Sequence, residues 1–145
     1  MIKRFLKIAS NFDFKFKDIV DNENIDIKEK IYALLLSPEN KNFLEFCTEH
    51  YIYENVQFVL VMDYLLKSDN VETKKSIIHH IHFMYLQNDS MFELNVSNNI
   101  KNNVSVMIKN YKDNADQLEI IYIDILSHIK LLLKEPISRY ISKQY

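Results

Sequence analysis

Glycine is absent from all 145 residues of the chain. That absence excludes phosphate-cradling loops and dinucleotide turns, whose backbone must approach the ligand more closely than a Cβ allows. It also disfavours two-residue hairpins, which need positive φ at their tips. Tryptophan is missing too, and there are two prolines, Pro38 and Pro136. The single cysteine, Cys47, has no internal partner for a disulfide, which fits a reducing compartment. No apolar run reaches the length needed to cross a bilayer. The first eight residues interleave charge with apolar side chains, where a signal peptide carries an unbroken apolar stretch. A net charge of −2 gives no reason to expect a nucleic-acid partner.

What remains is a chain rich in core material. Apolar residues make up 48%, with nine Phe and nine Tyr, which opposes disorder. The length is that of about one domain. Without glycine, and with long stretches of helical apolar spacing, the chain is predicted to be all-α. The first 17 residues carry Lys3, Arg4, Lys7, Lys15 and Lys17 against Asp13 alone, accompanied by Phe5, Leu6, Ile8, Phe12, Phe14 and Phe16. Two readings are open for residues 1–26: an arm and first helix packed on the domain, or a weak contact with an anionic membrane surface.

From residue 27 the spacing predicts successive helices. Asp26, with Glu29 three positions later, looks like a capping box opening the first. Ser37 and Pro38 read as N-cap and first residue of the second, which runs to about His50 with Phe43, Phe46 and Cys47 as its stripe. Cys47 reads as a small core hydrophobe. Residues 56–66 are apolar nearly all round, as in a buried helix, interrupted by Gln57 and Asp63. Residues 72–86 turn Ile77, Ile78, Ile81 and Tyr85 inward. Ser97 is predicted to cap a helix bearing Ile100, Val104, Met107 and Ile108. A break is expected at 111–116, followed by a helix over 118–134 with Leu118, Tyr122, Ile125, Ile129 and Leu132 inward. Pro136 is expected to end it, leaving a short final helix.

No Ser/His/Asp or Cys/His arrangement stands out as a catalyst. His79 and His82 have zinc-like spacing on one helix face, but no carboxylate or cysteine in that segment completes a ligand set. The polar signal lies instead in three patches at helix junctions. The first is Tyr51–Ile52–Tyr53–Glu54–Asn55–Val56–Gln57–Phe58. The second is Glu93–Leu94–Asn95–Val96. The third is Leu131 followed by Glu135–Pro136–Ile137–Ser138–Arg139–Tyr140.

In order, spacing and residue type, these patches resemble the regulator of G-protein signalling (RGS) domain, over residues 27–145. The resemblance implies a central antiparallel four-helix bundle over about residues 54–134 and a smaller subdomain built from both termini. It implies a GTPase-activating protein for heterotrimeric Gα subunits, with no active site of its own, working in the cytoplasm at the inner membrane face. No cofactor is implied, since GTP and Mg²⁺ belong to the Gα partner. Glu54 and Asn55 match an acidic–Asn pair that contacts the first switch region. Asn95 matches an asparagine whose amide reaches toward the catalytic glutamine of Gα. Leu131, Glu135 and Arg139 match an apolar contact, an acid and an arginine at the last helix junction.

All of these residues except Leu131 also have a local reading, Glu54 and Asn55 as ordinary first-turn residues. Glu54 suits the dipole of a first helical turn. Asn95 suits an Asx-turn. Glu135 and Arg139 suit an exposed ion pair. The chain departs from the family pattern at Ile52, where relatives have a small hydroxyl residue, and at Val59, where they have Trp. Ser97 stands in place of an acid, and Glu135 is one methylene longer than the usual Asp. The departures motivate an alternative, an RGS-fold scaffold or peptide-binding module without activating power.

Overall fold

The computed structural model describes Ile19 and residues 22–144. The basic and aromatic stretch over 1–17, with the membrane contact considered for it, lies outside the described residues. Those described hold six α-helices, one π-helical turn and no strand. The helices are α1 (Ile27–Leu36), α2 (Asn40–Glu49), α3 (Tyr53–Lys67), α4 (Val71–Ile81), α5 (Asn98–Ile108) and α6 (Tyr111–Gln144). The π-turn, His82–Leu86, continues α4 directly. No helix among the described residues is long and apolar enough to cross a membrane.

The chain divides into two compact units. One takes the described residues of Met1–Gln57 and Lys130–Tyr145, the other Phe58–Ile129.

In the first unit, Asp26 caps α1 by accepting the Lys28 N–H at 2.8 Å. Its other carboxylate oxygen meets the Lys130 ammonium of α6 at 3.1 Å. The serine at 37 does not start α2 as expected. Its backbone N–H closes α1 on the Ala33 carbonyl, and its hydroxyl accepts the Glu39 N–H at 3.2 Å. The resulting turn delays α2 to Asn40. Along α2, Phe43 and Cys47 are fully buried. Removal from water pushes the Cys47 thiol up to about 12, so it is inert core material. Phe43 and Phe46 both lie against the Tyr140 ring, at centroid distances of 5.3 and 5.0 Å.

The end of α2 carries the cost of a glycine-free sequence. Tyr51 adopts φ 56°, the left-handed conformation in which helices usually end on glycine. Around it the Ile52 N–H reaches the Cys47 carbonyl (2.9 Å) and the Tyr51 N–H the Thr48 carbonyl (3.3 Å), the paired bonds of a Schellman motif. Ile52 is buried and opens directly into α3.

Helix α6 corrects two sequence expectations. It begins at Tyr111, with no break over 111–116, and runs through Pro136 to Gln144. A proline in a helix interior forfeits one backbone hydrogen bond and crowds the preceding turn, costing about 3 kcal/mol. Here Leu133, Pro136, Ile137, Tyr140 and Ile141 form an unbroken buried stripe at helical spacing. Each fully buried large apolar side chain returns about 1.5–3 kcal/mol, so the stripe outweighs the proline. Leu132, expected inward, is 47% exposed because the stripe passes through Leu133.

In the second unit, α3 buries Phe58, Val59, Leu60, Val61, Met62 and Leu65. Asp63 is buried with them, and it accepts a 2.9 Å bond from Lys67 one turn on. Asn70 caps α4 by accepting the Thr73 N–H. Helix α6 joins α4 through the Lys74–Glu119 pair (3.5 Å) and through the buried Tyr122 hydroxyl on the Ile78 carbonyl. Tyr85 is the aromatic hub of this unit, edge-on to Phe58 and stacked with Phe92.

Candidate functional site

The segment between the π-turn and α5 is held from both ends by backbone chemistry. A helix leaves its last carbonyls without intrahelical partners. At this C-terminus two of them are taken by the returning chain: Met84 O by the Phe92 N–H (3.1 Å) and Tyr85 O by the Leu94 N–H (2.9 Å). The Leu94 side chain is fully buried, so the segment is anchored by a core residue as well as by hydrogen bonds. The chain turns at Asp89, which has φ 61°. Of all residue types besides glycine, Asp and Asn accept that conformation most readily.

Asn95 follows immediately. The Val96 N–H donates to the Leu94 carbonyl at 2.9 Å, which makes Asn95 the central residue of a γ-turn. The bend is therefore made by the backbone, not by the Asx-turn considered from sequence. The Asn95 side chain is exposed and, among the described residues, takes part in no hydrogen bond. Its amide donors and carbonyl acceptor are free for a partner. Ser97 then caps α5 as expected, accepting the Ile100 N–H at 3.4 Å.

Asn95 stands at the edge of a cleft of about 390 Å³. Val96, Ile100, Ile121 and Ile125 give it apolar walls, and Ser97, Asp124 and His128 add polar groups. Asp124 and His128 were not singled out from sequence. Their signal was a polar pair four residues apart on an amphipathic helix with many other charged residues, which reads more simply as a solvated face.

The five other residues selected by the resemblance belong to the first unit. Glu54 and Asn55 lie in the first turn of α3 and are half-buried. Leu131 is 65% exposed on α6, a large apolar side chain left in water. Glu135 and Arg139 come together: one guanidinium nitrogen lies 3.1 and 3.3 Å from the two carboxylate oxygens. They sit inside continuous α6, not across a helix start as expected. An exposed i,i+4 pair of this kind contributes about 0.3–0.5 kcal/mol and leaves the guanidinium with further donors.

The histidines of α4 and the π-turn have separate surroundings. His79 holds the Lys75 carbonyl through Nδ1 (2.9 Å) and packs against the Tyr111 ring. His82 Nε2 meets the Gln87 amide at 3.3 Å, while His82 Nδ1 and His80 Nε2 are buried without partners. Burial holds both His80 and His82 below the usual histidine range, with the nearby His79 adding to the effect at His82. Among the described residues no group of three or more His, Cys, Asp or Glu side chains is placed to hold a metal ion.

Comparison with known proteins yields one partial likeness. A 67-residue stretch, 44% of this chain, is 31% identical to part of a hydroxamate-type ferrichrome siderophore peptide synthetase from Schizosaccharomyces pombe. The chain spans about 1% of that synthetase's length. No family model and no solved structure matches the chain.

Proposed function

We propose that this chain is an RGS-like GTPase-activating protein for heterotrimeric Gα subunits. The observation that carries the reading is Asn95: an exposed, unspent side-chain amide on a turn fixed on one side by buried Leu94 and on the other by the Ser97 cap of α5. An RGS domain performs no bond chemistry. Gα already holds GTP, Mg²⁺, an arginine supplied within its own chain and a glutamine that orients the attacking water. The activator must bind the switch loops more tightly in their transition-state arrangement than in the ground state, and that difference lowers the barrier. A pre-positioned amide suits the task, because a flexible one would lose its own freedom on binding and return less of the interaction.

The proposal takes in the RGS arrangement of a four-helix bundle with a terminal subdomain. It assigns Glu54, Asn55, Leu131, Glu135 and Arg139 to the same Gα-binding role, in the cytoplasm at the inner membrane face. Exposed Leu131 supports this, since burying it against a partner would be favourable. The test is single-turnover GTP hydrolysis by a panel of Gα subunits. Faster hydrolysis with at least one subunit is expected. No acceleration across the panel would favour the alternative, a binding module of the same fold without activating power.

A further inference from the structure

We propose that Lys101 is a positioning residue for Asn95, acting through Glu93, so that the loop is set before a partner arrives. The proposal rests on the reading of Asn95 as a partner-binding residue. Lys101 lies in the first turns of α5, and its side chain is buried, with 7% exposure. Its ammonium donates to Glu93 Oε2 at 2.6 Å. The other oxygen of the same carboxylate, Oε1, accepts the Asp89 N–H at 3.0 Å. One carboxylate thus ties the start of α5 to the left-handed corner of the loop. Glu93 itself sits next to Leu94, whose N–H and side chain are the anchors on which Asn95 turns.

Stability alone does not account for this choice of residues. Burying an ammonium is costly, and an apolar side chain of similar size commonly serves stability as well or better. What an ion pair adds is direction: a lysine and a carboxylate fit in one arrangement, whereas a methionine packs in several. The Lys101 ammonium, with the Asp89 N–H, holds the Glu93 carboxyl below its usual range. Its effect on Asn95 is to remove alternative courses for the loop two residues upstream.

Three variants of the chain test this: Lys101→Met, which keeps the apolar stem and drops the ammonium, Lys101→Arg, which keeps the charge, and Glu93→Gln. Amide hydrogen exchange is read residue by residue, alongside thermal unfolding and single-turnover hydrolysis with a responsive Gα. Lys101→Met is expected to speed exchange at Asp89 and Leu94 by roughly tenfold or more, without a matching change in the core of α3. Its acceleration of Gα should fall by a similar factor even at saturating concentration, and Lys101→Arg should restore both. Unchanged exchange at Asp89 and Leu94 in Lys101→Met would overturn the proposal, as would exchange that rises equally throughout the protein. If Lys101→Met does not fold, Glu93→Gln is held to the same criteria. If the wild-type chain accelerates no Gα, the functional reading fails, and the exchange pattern alone decides whether the clamp sets the loop.

Discussion

The Tyr122 hydroxyl donates a 3.0 Å hydrogen bond to the Ile78 carbonyl, fastening the middle of α6 to the last turn of α4. The same carbonyl accepts the backbone N–H of His82, where the π-turn begins. Both Tyr122 and Ile78 are buried. Tyr122→Phe removes one of two donors from Ile78 O and leaves that carbonyl partnered. A loss of about 1 kcal/mol is therefore expected in urea unfolding, with the slope of the transition unchanged. A loss several times larger would mean that the hydroxyl holds the π-turn itself in place.

Tyr51 occupies a position where the chain needs a left-handed residue and has no glycine to supply it. The residue is 84% exposed, so replacement forfeits almost no burial. Tyr51→Gly is expected to stabilise the protein by about 1 kcal/mol, the relief of the left-handed strain less the added freedom of the unfolded chain. Thermal unfolding checks this, and a lower Tm would show that the exposed ring makes a contribution of its own.

The two buried histidine nitrogens make stability depend on pH in a known direction. His80 and His82 titrate below their ordinary value of 6.5 in the folded state, chiefly through burial. As pH falls through that value the unfolded chain takes up protons first. Their contribution is therefore full above about pH 6.5 and is lost as the solution becomes more acidic. His80→Phe combined with His82→Gln is expected to flatten the decline in urea midpoint between about pH 7 and pH 5. An equally steep decline in the double variant would assign the acid sensitivity to other groups.

Asn95→Ala separates function from folding. The side chain is exposed and, among the described residues, unbonded, so truncation is expected to change stability by no more than about 0.5 kcal/mol. Activation of a responsive Gα is expected to fall at least tenfold, about 1.4 kcal/mol of transition-state binding. A Tm loss in proportion to the activity loss would make Asn95 a structural residue.

Much of the helical architecture was legible because its signals are local. Ser97 caps the helix read from sequence, and Asp26 opens α1, because side-chain oxygens there meet N–H groups two or three residues away. The errors arose where one local rule met another, or met a longer-range balance. Ser37 and Pro38 have the composition of a helix start, yet the Ser37 hydroxyl turns the chain first and α2 begins at Asn40. Pro136 breaks most helices, but its penalty is smaller than the burial of Leu133, Ile137 and Tyr140 on the same stripe. Asn95 was legible as a loop asparagine, whereas its γ-turn was not, since backbone N–H groups carry no sequence signal. Nor was the Glu93–Lys101 pair: eight residues apart across a loop, it follows no helical period and exists only through the fold.

Selection of the transition-state conformation is the central claim, and equilibrium binding measures it most directly. The chain is titrated with each Gα subunit in its GDP, GDP–aluminium fluoride and non-hydrolysable GTP states. Tightest binding to the aluminium fluoride state, by tenfold or more over the GDP state, is the predicted result. Equal affinity for all three states would contradict the account, because a protein that binds ground and transition states alike cannot lower the barrier between them.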